Sequence, residues 1–416
     1  MRHTSLLTED MKMALETIRT HKVRSFLTVL GVVIGVSVAI LVASILLGVE
    51  KNVKDSLEEF GVDNLFIIKF NSGLHFGNLS PEERARKSLT YEDGLAIKEE
   101  VPSVKDVAIE VLPRFGGGRS SVRTARNKNH ELSNIQFRGF TAAYAEVVNG
   151  RMKEGRFYTD LEDLHREDVV VLGFDAEKAL FPDENAEGKP LLVDGNIYRV
   201  IGVFAKKKSN LNNAGDVEVF IPYRTYRKHY PQDDEHVLIA MAYPGMKSAA
   251  EDTIRGLLRM RRRVPPGQPD NFGISTAEQL SEQFNDILKR TFQLVVGVVS
   301  VGLLVGGVGV MNIMLMSVTE RTREIGVRKA IGARRRDISL QFITEAMTLT
   351  GIGGVLGVII SVLLSLLLQV IHFPSAIPMW AIIIAVSVSC GVGLFFGIYP
   401  AVKAARLDPV IALRYE

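Results

Sequence analysis

The sequence predicts an α-helical membrane protein of four spans, with one large α/β domain inserted between the first and the second. Three observations predict it. Four uncharged runs, 25–49, 291–319, 346–371 and 373–402, each supply the roughly 20 apolar residues that cross about 30 Å of hydrocarbon as a helix. A single long polar stretch, about 50–290, separates the first run from the other three. The 47 % apolar average of the 416 residues conceals this segregation, which is a membrane protein's pattern. The competing reading, four helices buried in a soluble bundle, requires a polar face that these runs lack.

Taken in order, residues 1–24 place Met11, Leu15, Ile18 and then Phe26 at helical spacing beside Lys12, Arg19 and Lys22. That pattern suits a cytoplasmic interfacial amphipathic helix, or a plain lead-in to the first span. Span one, 25–49, is longer than a signal peptide's apolar core and ends without a small-x-small cleavage site, so it is read as retained.

The domain 50–290 opens with a strand in NLFIIKF and a helix in TYEDGLAIKEEV, capped by Thr90 and Asp93. Strands follow in VKDVAIEVLPRF, NIQFRGF, DVVVLGF, PLLVDGNIYRVIGVF, VEVFIP and HVLIAMAY, where Asp194-Gly195-Asn196 signals a hairpin. The stretches 71–88 and KKKSNLNNAG have loop composition. One helix is expected in MKSAAEDTIRGLLRMRRR, and a last one at about 275–290, capped by Ser275 and Glu278. With no breaker before span two, this last helix is expected to continue into the membrane as a rigid stalk. Span two (291–317), a charged loop (318–338), span three (339–371), a turn (372–379), span four (380–402) and a tail (403–416) complete the chain.

Lys and Arg orient it. Lys12, Arg19, Lys22 and Arg24 precede span one, seven Lys/Arg fill the loop 318–338, and Lys403, Arg406 and Arg414 follow span four. The turn 372–379 has none, so both termini and the charged loop are expected in the cytoplasm and the inserted domain outside it.

Catalytic signatures are absent. The histidines show no HExxH spacing, there is no GxSxG, and the one cysteine, Cys390, makes neither a disulfide nor a metal cluster. The acidic group Glu162, Asp163, Glu167 and Asp168 reads as a solvated surface rather than a catalytic pair. The basic groups Lys206 to Lys208 and Arg259 to Arg263 read as solvated faces or as contacts to an anionic partner. A formal charge of +3 excludes a bulk nucleic-acid binder. No GxxxxGK[ST] occurs, so no nucleotide cofactor is expected on this chain, and any ATP is hydrolysed by another.

Each span carries a small-xxx-small pair: Gly31 and Gly35, Gly302 and Gly306, Gly353 and Gly357, Gly393 and Gly397. One turn apart, such glycines let backbones approach in lipid, where no hydrophobic effect draws helices together. They predict a tightly packed and dimeric bundle. Ionisable groups are nearly absent from the spans, which argues against an ion-driven carrier. Glu345 is the exception, and reads as an interfacial residue near the headgroups or as a buried functional group.

In SVTERTREIGVRKAIGARRRD, Ile325, Val327, Ala330, Ile331 and Ala333 are interspersed with Arg328, Lys329 and Arg334. A short helix there shows a small apolar surface rimmed by cations, suited to a groove on another protein, or else a basic loop that fixes topology and touches anionic lipid.

The segment LLVGGVGVMNIMLMSVTERTREIGVRKAIGARRRDI resembles the signature of the MacB/FtsX-type ABC transporter permeases. THKVRSFLTVLGVVIGV, GRFYTDLED, GKPLLVDGNIYRVIGVF and the C-terminal GIYPAVKAARLDPVIALRYE resemble other parts of that family. The resemblance implies a four-span permease of the bacterial inner membrane that dimerises with a second copy, pairs with ATPase subunits, and carries an external domain of two α/β subdomains. It implies mechanotransmission, in which ATP-driven closure at the cytoplasmic side moves the external domains through the stalk helices. Further implied partners are a periplasmic membrane-fusion adaptor and an outer-membrane channel. The coupling residues would be Arg321, Glu324, Ile325, Gly326, Arg328, Lys329, Gly332 and Ala333. Only 24 residues precede span one, where macrolide exporters of the family carry an ATPase domain, so a separate ATPase is expected, as in lipoprotein-releasing transporters. A non-transporting signalling protein that regulates an envelope enzyme would share the same coupling device.

Overall fold

The computed structural model describes residues 22–59, 61–71, 80–113, 122–128, 130–206, 217–370 and 373–413. Residues 1–21 of the amphipathic helix expected at 1–24 and most of KKKSNLNNAG lie outside them. The chain forms two units, one holding the described residues to Val49 with those from Leu288 onward, the other Glu50–Ile287.

Among the described residues the α/β unit has eleven strands. These are β1 (Asn64–Ile68), β2 (Val104–Leu112), β3 (Val122–Asn127), β4 (His130–Phe140), β5 (Met152–Gly155), β6 (Val169–Leu172), β7 (Pro190–Val193), β8 (Asn196–Phe204), β9 (Glu218–Pro222), β10 (Glu235–Ala242) and β11 (Gly273–Thr276). The order is β11-β1-β10-β2-β4-β3-β7-β8-β6-β9, with β5 paired to β8 off this path, and β9 also pairs in parallel with β4, so β4, β3, β7, β8, β6 and β9 close into a ring. The four strands β11, β1, β10 and β2 extend from that ring as an antiparallel sheet. At the junction Arg138 on β4 pairs with Glu110 on β2 at 2.6 Å and with Glu218 on β9 at 2.7 Å. The Asp194-Gly195 turn has positive φ at both residues, 47° and 85°, the backbone a two-residue hairpin requires.

Among the described residues seven helices lie wholly within this unit, and the first described helix ends in it. The first, α1, runs Lys22–Glu59, followed by α2 (Pro81–Ala85), α3 (Tyr91–Glu100), α4 (Tyr144–Val147), α5 (Asp160–Leu164), α6 (Phe174–Leu180), α7 (Tyr223–His229) and α8 (Lys247–Arg261). Ala96 and Ile97 of α3 and Ile254 and Leu258 of α8 pack with Ile109 and Leu238 of the open sheet. Two expectations fail here. The stretch 71–88 is not all loop, because Ser80 and Glu83 form a capping box with Pro81 at the first turn and so start α2. Glu162 and Asp163 are buried rather than solvated: Glu162 closes a capping box with Thr159 and takes both terminal nitrogens of Arg156 at 2.7 Å.

Three arginines of the Arg259 to Arg263 group are part-exposed but tied to neighbouring segments of the unit. Arg259 pairs with Asp270, Arg261 with Asp93 at 3.0 Å, and Arg262 donates to Asn271 and to the carbonyls of Lys87 and Ser88.

The remaining helices are α9 (Ala277–Glu320), α10 (Thr322–Ala330), α11 (Arg335–Val370), α12 (Met379–Ala405) and α13 (Pro409–Leu413). Among the described residues four helices, α1, α9, α11 and α12, are long and apolar enough to cross a membrane. The α9 cap is Thr276 with Gln279, not Ser275 with Glu278. Ser275 is committed to the β11–β1 ladder opposite Phe66, which moves the helix start on by one residue. The helix then runs 44 residues without a break.

Glycines set the helix contacts. A Cβ on Gly31 of α1 would lie 3.1 Å from Cα of Gly306 on α9, and one on Gly35 would lie 3.0 Å from Leu303. Gly353 and Gly357 of α11 face Val32 and Val36, where Ser37 also donates to the Gly357 carbonyl at 3.1 Å. Gly393 and Gly397 of α12 sit against Thr350 and Ala346 of α11. Gly302 differs from the other seven: nothing lies within 4 Å of its Cβ position.

Candidate functional site

The charged segment between α9 and α11 folds as the short helix α10, and its boundaries follow from local chemistry. At Arg321 the chain turns, and the Thr322 hydroxyl donates to the carbonyls of Val318 and Thr319, satisfying the end of α9. At the other end Gly332 takes φ +108°, its N–H donates to the Lys329 carbonyl and that of Ala333 to the Arg328 carbonyl. This is a Schellman motif, and its left-handed position is why a glycine stands at 332. The Arg334 N–H then donates to Asp337 at 3.0 Å, opening α11.

The inner face of α10 is Thr322, Ile325 and Gly326, all buried. Ile325 joins a core with Val310, Met314, Phe342, Ala401 and Ala404. Gly326 meets α13, where a Cβ on it would lie 2.8 Å from Cβ of Ala412. Lys329 Nζ donates to the carbonyls of Ala405 (2.8 Å) and Leu407 (2.5 Å), satisfying the C-terminal end of α12. The helix α13 itself opens with Asp408, whose carboxylate accepts the Val410 N–H at 2.8 Å.

The outer face is Arg323, Glu324, Val327 and Ile331, spaced three and four residues apart and exposed, Ile331 to 83 %. On α13, which packs against α10, Val410 and Ile411 are exposed as well, Ile411 to 67 %. Arg328 links Glu324, one turn back, to Gln341 of α11, both at 2.6 Å. The result is a small apolar surface with a cationic rim, held rigidly by its own side chains. Surfaces of this kind seat in a groove on a partner protein.

Glu345, read as either an interfacial residue or a buried functional group, is enclosed by protein. It is 2 % exposed and pairs with Arg321 at 3.6 Å, because its place on α11 faces the inside of the bundle. The eight residues assigned to coupling therefore divide. Glu324 is on the outer face, Ile325, Gly326 and Lys329 anchor α10, Arg321 pairs inward, Arg328 braces, and Gly332 and Ala333 end the helix. The sequence reading missed Arg323 and the whole contribution of α13. Alternation of exposed and buried positions along 322–331 at helical period would have found the first. Among the described residues no group of three or more His, Cys, Asp or Glu is placed to hold a metal.

Four apolar spans and a braced helix at one end of the bundle define a membrane-integral protein with an α/β domain between its first two spans. Residues 25–257 match the family described as MacB-like periplasmic core domain, and residues 296–409 match the FtsX-like permease C-terminal family. The chain belongs to the MacB/FtsX-type ABC transporter permeases. It is 32 % identical to the macrolide export ATP-binding/permease protein MacB of Bdellovibrio bacteriovorus, over 98 % of this chain and 62 % of that protein. It is 33 % identical to the pyoverdine export ATP-binding/permease protein PvdT of Pseudomonas aeruginosa, over 98 % of this chain and 58 % of that one. The chain thus spans less than two thirds of the length of these relatives. Among solved structures, the periplasmic region of MacB from Actinobacillus actinomycetemcomitans aligns with 55 % of this chain and 95 % of its own, at 19 % identity and a TM-score of 0.44.

Proposed function

We propose that this chain is the transmembrane subunit of an ATP-driven exporter, and that it works by mechanotransmission. It lies in a bacterial inner membrane with both termini and α10 in the cytoplasm and the α/β domain outside. A separate ATPase subunit binds and hydrolyses the nucleotide, and this chain carries no catalysis of its own. Two copies form the working permease, with a membrane-fusion adaptor and an outer-membrane channel as partners of the α/β domain. The substrate is a hydrophobic or peptidic molecule of the envelope, in keeping with relatives named for macrolide and pyoverdine export.

The observation that carries this reading is the construction of α10. Its inner face is locked to α9, α11, α12 and α13, while Arg323, Glu324, Val327 and Ile331 are left outward. A loop that only fixed topology would need cations and no such bracing. Force applied to the outer face is transmitted to α9, whose 44 residues have no break at which to dissipate it.

The test is export by the permease co-reconstituted with its ATPase. Replacing Val327 and Ile331 together by Ser should uncouple ATP hydrolysis from export while the protein still inserts. Full export by a chain whose segment 320–333 is replaced by a neutral linker would refute the reading, and hydrolysis without any moved substrate would favour a signalling role.

A further inference from the structure

The α/β unit contains a cleft that the proposed export function does not use. It lies where the segment 84–88, the first turn of α3, the helix α7 and the start of β10 converge, and has a volume of about 660 Å³. A second cavity of about 420 Å³ shares Tyr91, Glu92, Tyr223 and Arg227 with it, so the two form one cleft. Ligand pockets fall in this size range.

Its lining is cationic. Eight Lys and Arg side chains line the two cavities, against the carboxylates Glu92, Asp234 and Glu235. Of these carboxylates Glu235 is already committed, buried against Lys69 and the Ser88 hydroxyl. Arg224 and Lys228 have Asp163 and Asp168 as partners. Arg86, Lys87, Arg166 and Arg227 make no ion pair among the described residues. Arg86 donates only to the Lys69 carbonyl and the Asn71 side chain, and Arg227 only to the carbonyls of Pro231 and Asp233. Both guanidiniums are thus fixed in place by neutral oxygens, with donors left over and their charge uncancelled.

An aromatic ledge lies beside these cations. Tyr91 and Tyr223 stack with centroids 4.8 Å apart. The Tyr223 hydroxyl is tied to His236 Nε2 at 2.8 Å, and His236 Nδ1 to the Leu89 carbonyl at 2.9 Å, so the ledge is held from behind. Burial keeps the His236 ring below its ordinary value and therefore neutral at pH 7, which leaves Lys and Arg as the source of the cleft's charge. Tyr91 is half-buried and lines both cavities, with the Arg224 guanidinium 6.0 Å from its ring centroid.

We infer that this cleft binds a soluble organic anion, one that places a phosphate or carboxylate among Arg86, Lys87 and Arg227 and a flat ring on Tyr91. Guanidinium forks recognise such oxyanions through charge-assisted bonds. A cationic ligand meets a net repulsive lining, and a purely apolar one leaves its guanidiniums without an oxyanion.

The experiment uses the full chain in nanodiscs of neutral lipid, without any ATPase, so its outcome is separate from the fate of the export reading. Binding is followed by isothermal titration calorimetry and saturation-transfer NMR with three probes: phenyl phosphate, inorganic phosphate and phenyltrimethylammonium. Phenyl phosphate should bind saturably, inorganic phosphate more weakly, and the cation not at all. The double variant R86Q/K87Q should weaken phenyl phosphate by at least about tenfold. Y91A should weaken phenyl phosphate but leave inorganic phosphate unchanged, which a merely unfolded cleft would not do. Equal binding of the cation and the anion, or an unchanged affinity in a folded R86Q/K87Q protein, would overturn the inference.

Discussion

The contact between Gly326 of α10 and Ala412 of α13 allows a quantitative test of how the coupling helix is held. Gly326→Ala places a Cβ 2.8 Å from that of Ala412, whereas carbon atoms settle about 3.5–4.0 Å apart. The shortfall of roughly 1 Å must be met by moving α13 outward, since Ile325 and Lys329 tie α10 to the bundle. Overpacking of this size costs about 1–3 kcal/mol. The substitution also gains up to about 1 kcal/mol of helix propensity, but that gain stays within α10. Amide hydrogen exchange of α13, including the Ala412 N–H that donates to the Asp408 carbonyl at 2.8 Å, therefore reads the clash alone. Its exchange should quicken by roughly 5- to 150-fold. Ala412→Gly removes the clashing atom, so in that background Gly326→Ala should have little effect. An unchanged α13 in the single variant, or an equal effect with and without Ala412→Gly, would refute the reasoning.

Three further outcomes follow from the same structure. Glu345→Gln removes the buried carboxylate charge that faces Arg321 at 3.6 Å and should destabilise the bundle by roughly 2–3 kcal/mol in denaturant unfolding, less than a fully buried pair because Arg321 is 25 % exposed. Burial pushes the Asp163 carboxyl up to about 6, above its value in the unfolded chain, so its contribution is fully present below about pH 4 and is lost as pH rises through 6. The loss amounts to at most about 3 kcal/mol, and thermal unfolding of Asp163→Asn should be flatter across pH 4–7 than that of the parent. Gly393→Val drives its side chain into Thr350 and the Ala346 carbonyl and should cost the α11–α12 packing about 1–3 kcal/mol or more on the scale of overpacked cores. Gly302→Val meets open space and should fold normally in the same expression and melting assays.

Periodicity and punctuation made much of the architecture legible. The four apolar runs, the strand segments of the α/β domain, the Thr90–Asp93 capping box and the Asp194-Gly195 hairpin are local signals, and the structure carries each of them. Where the reading slipped, a local signal had two valid solutions. Ser275 and Thr276 are both good caps, and the demand of the β11–β1 ladder on Ser275 chose between them. Glu162 and Asp163 look solvated in a list of acids, yet a capping box and the amide of Arg224 draw them inside.

The candidate docking site divides along the same line. Sequence by itself determined that a charged, amphipathic segment joins two spans, because charge and hydrophobic spacing act over a few residues. Only the tertiary structure decided which of its residues face outward, that Lys329 caps α12, that Gly326 makes room for α13, and that Glu345 and Arg321 meet. Those depend on backbones brought together across tens of residues, and no short-range preference encodes which side of a nine-residue helix another element will cover.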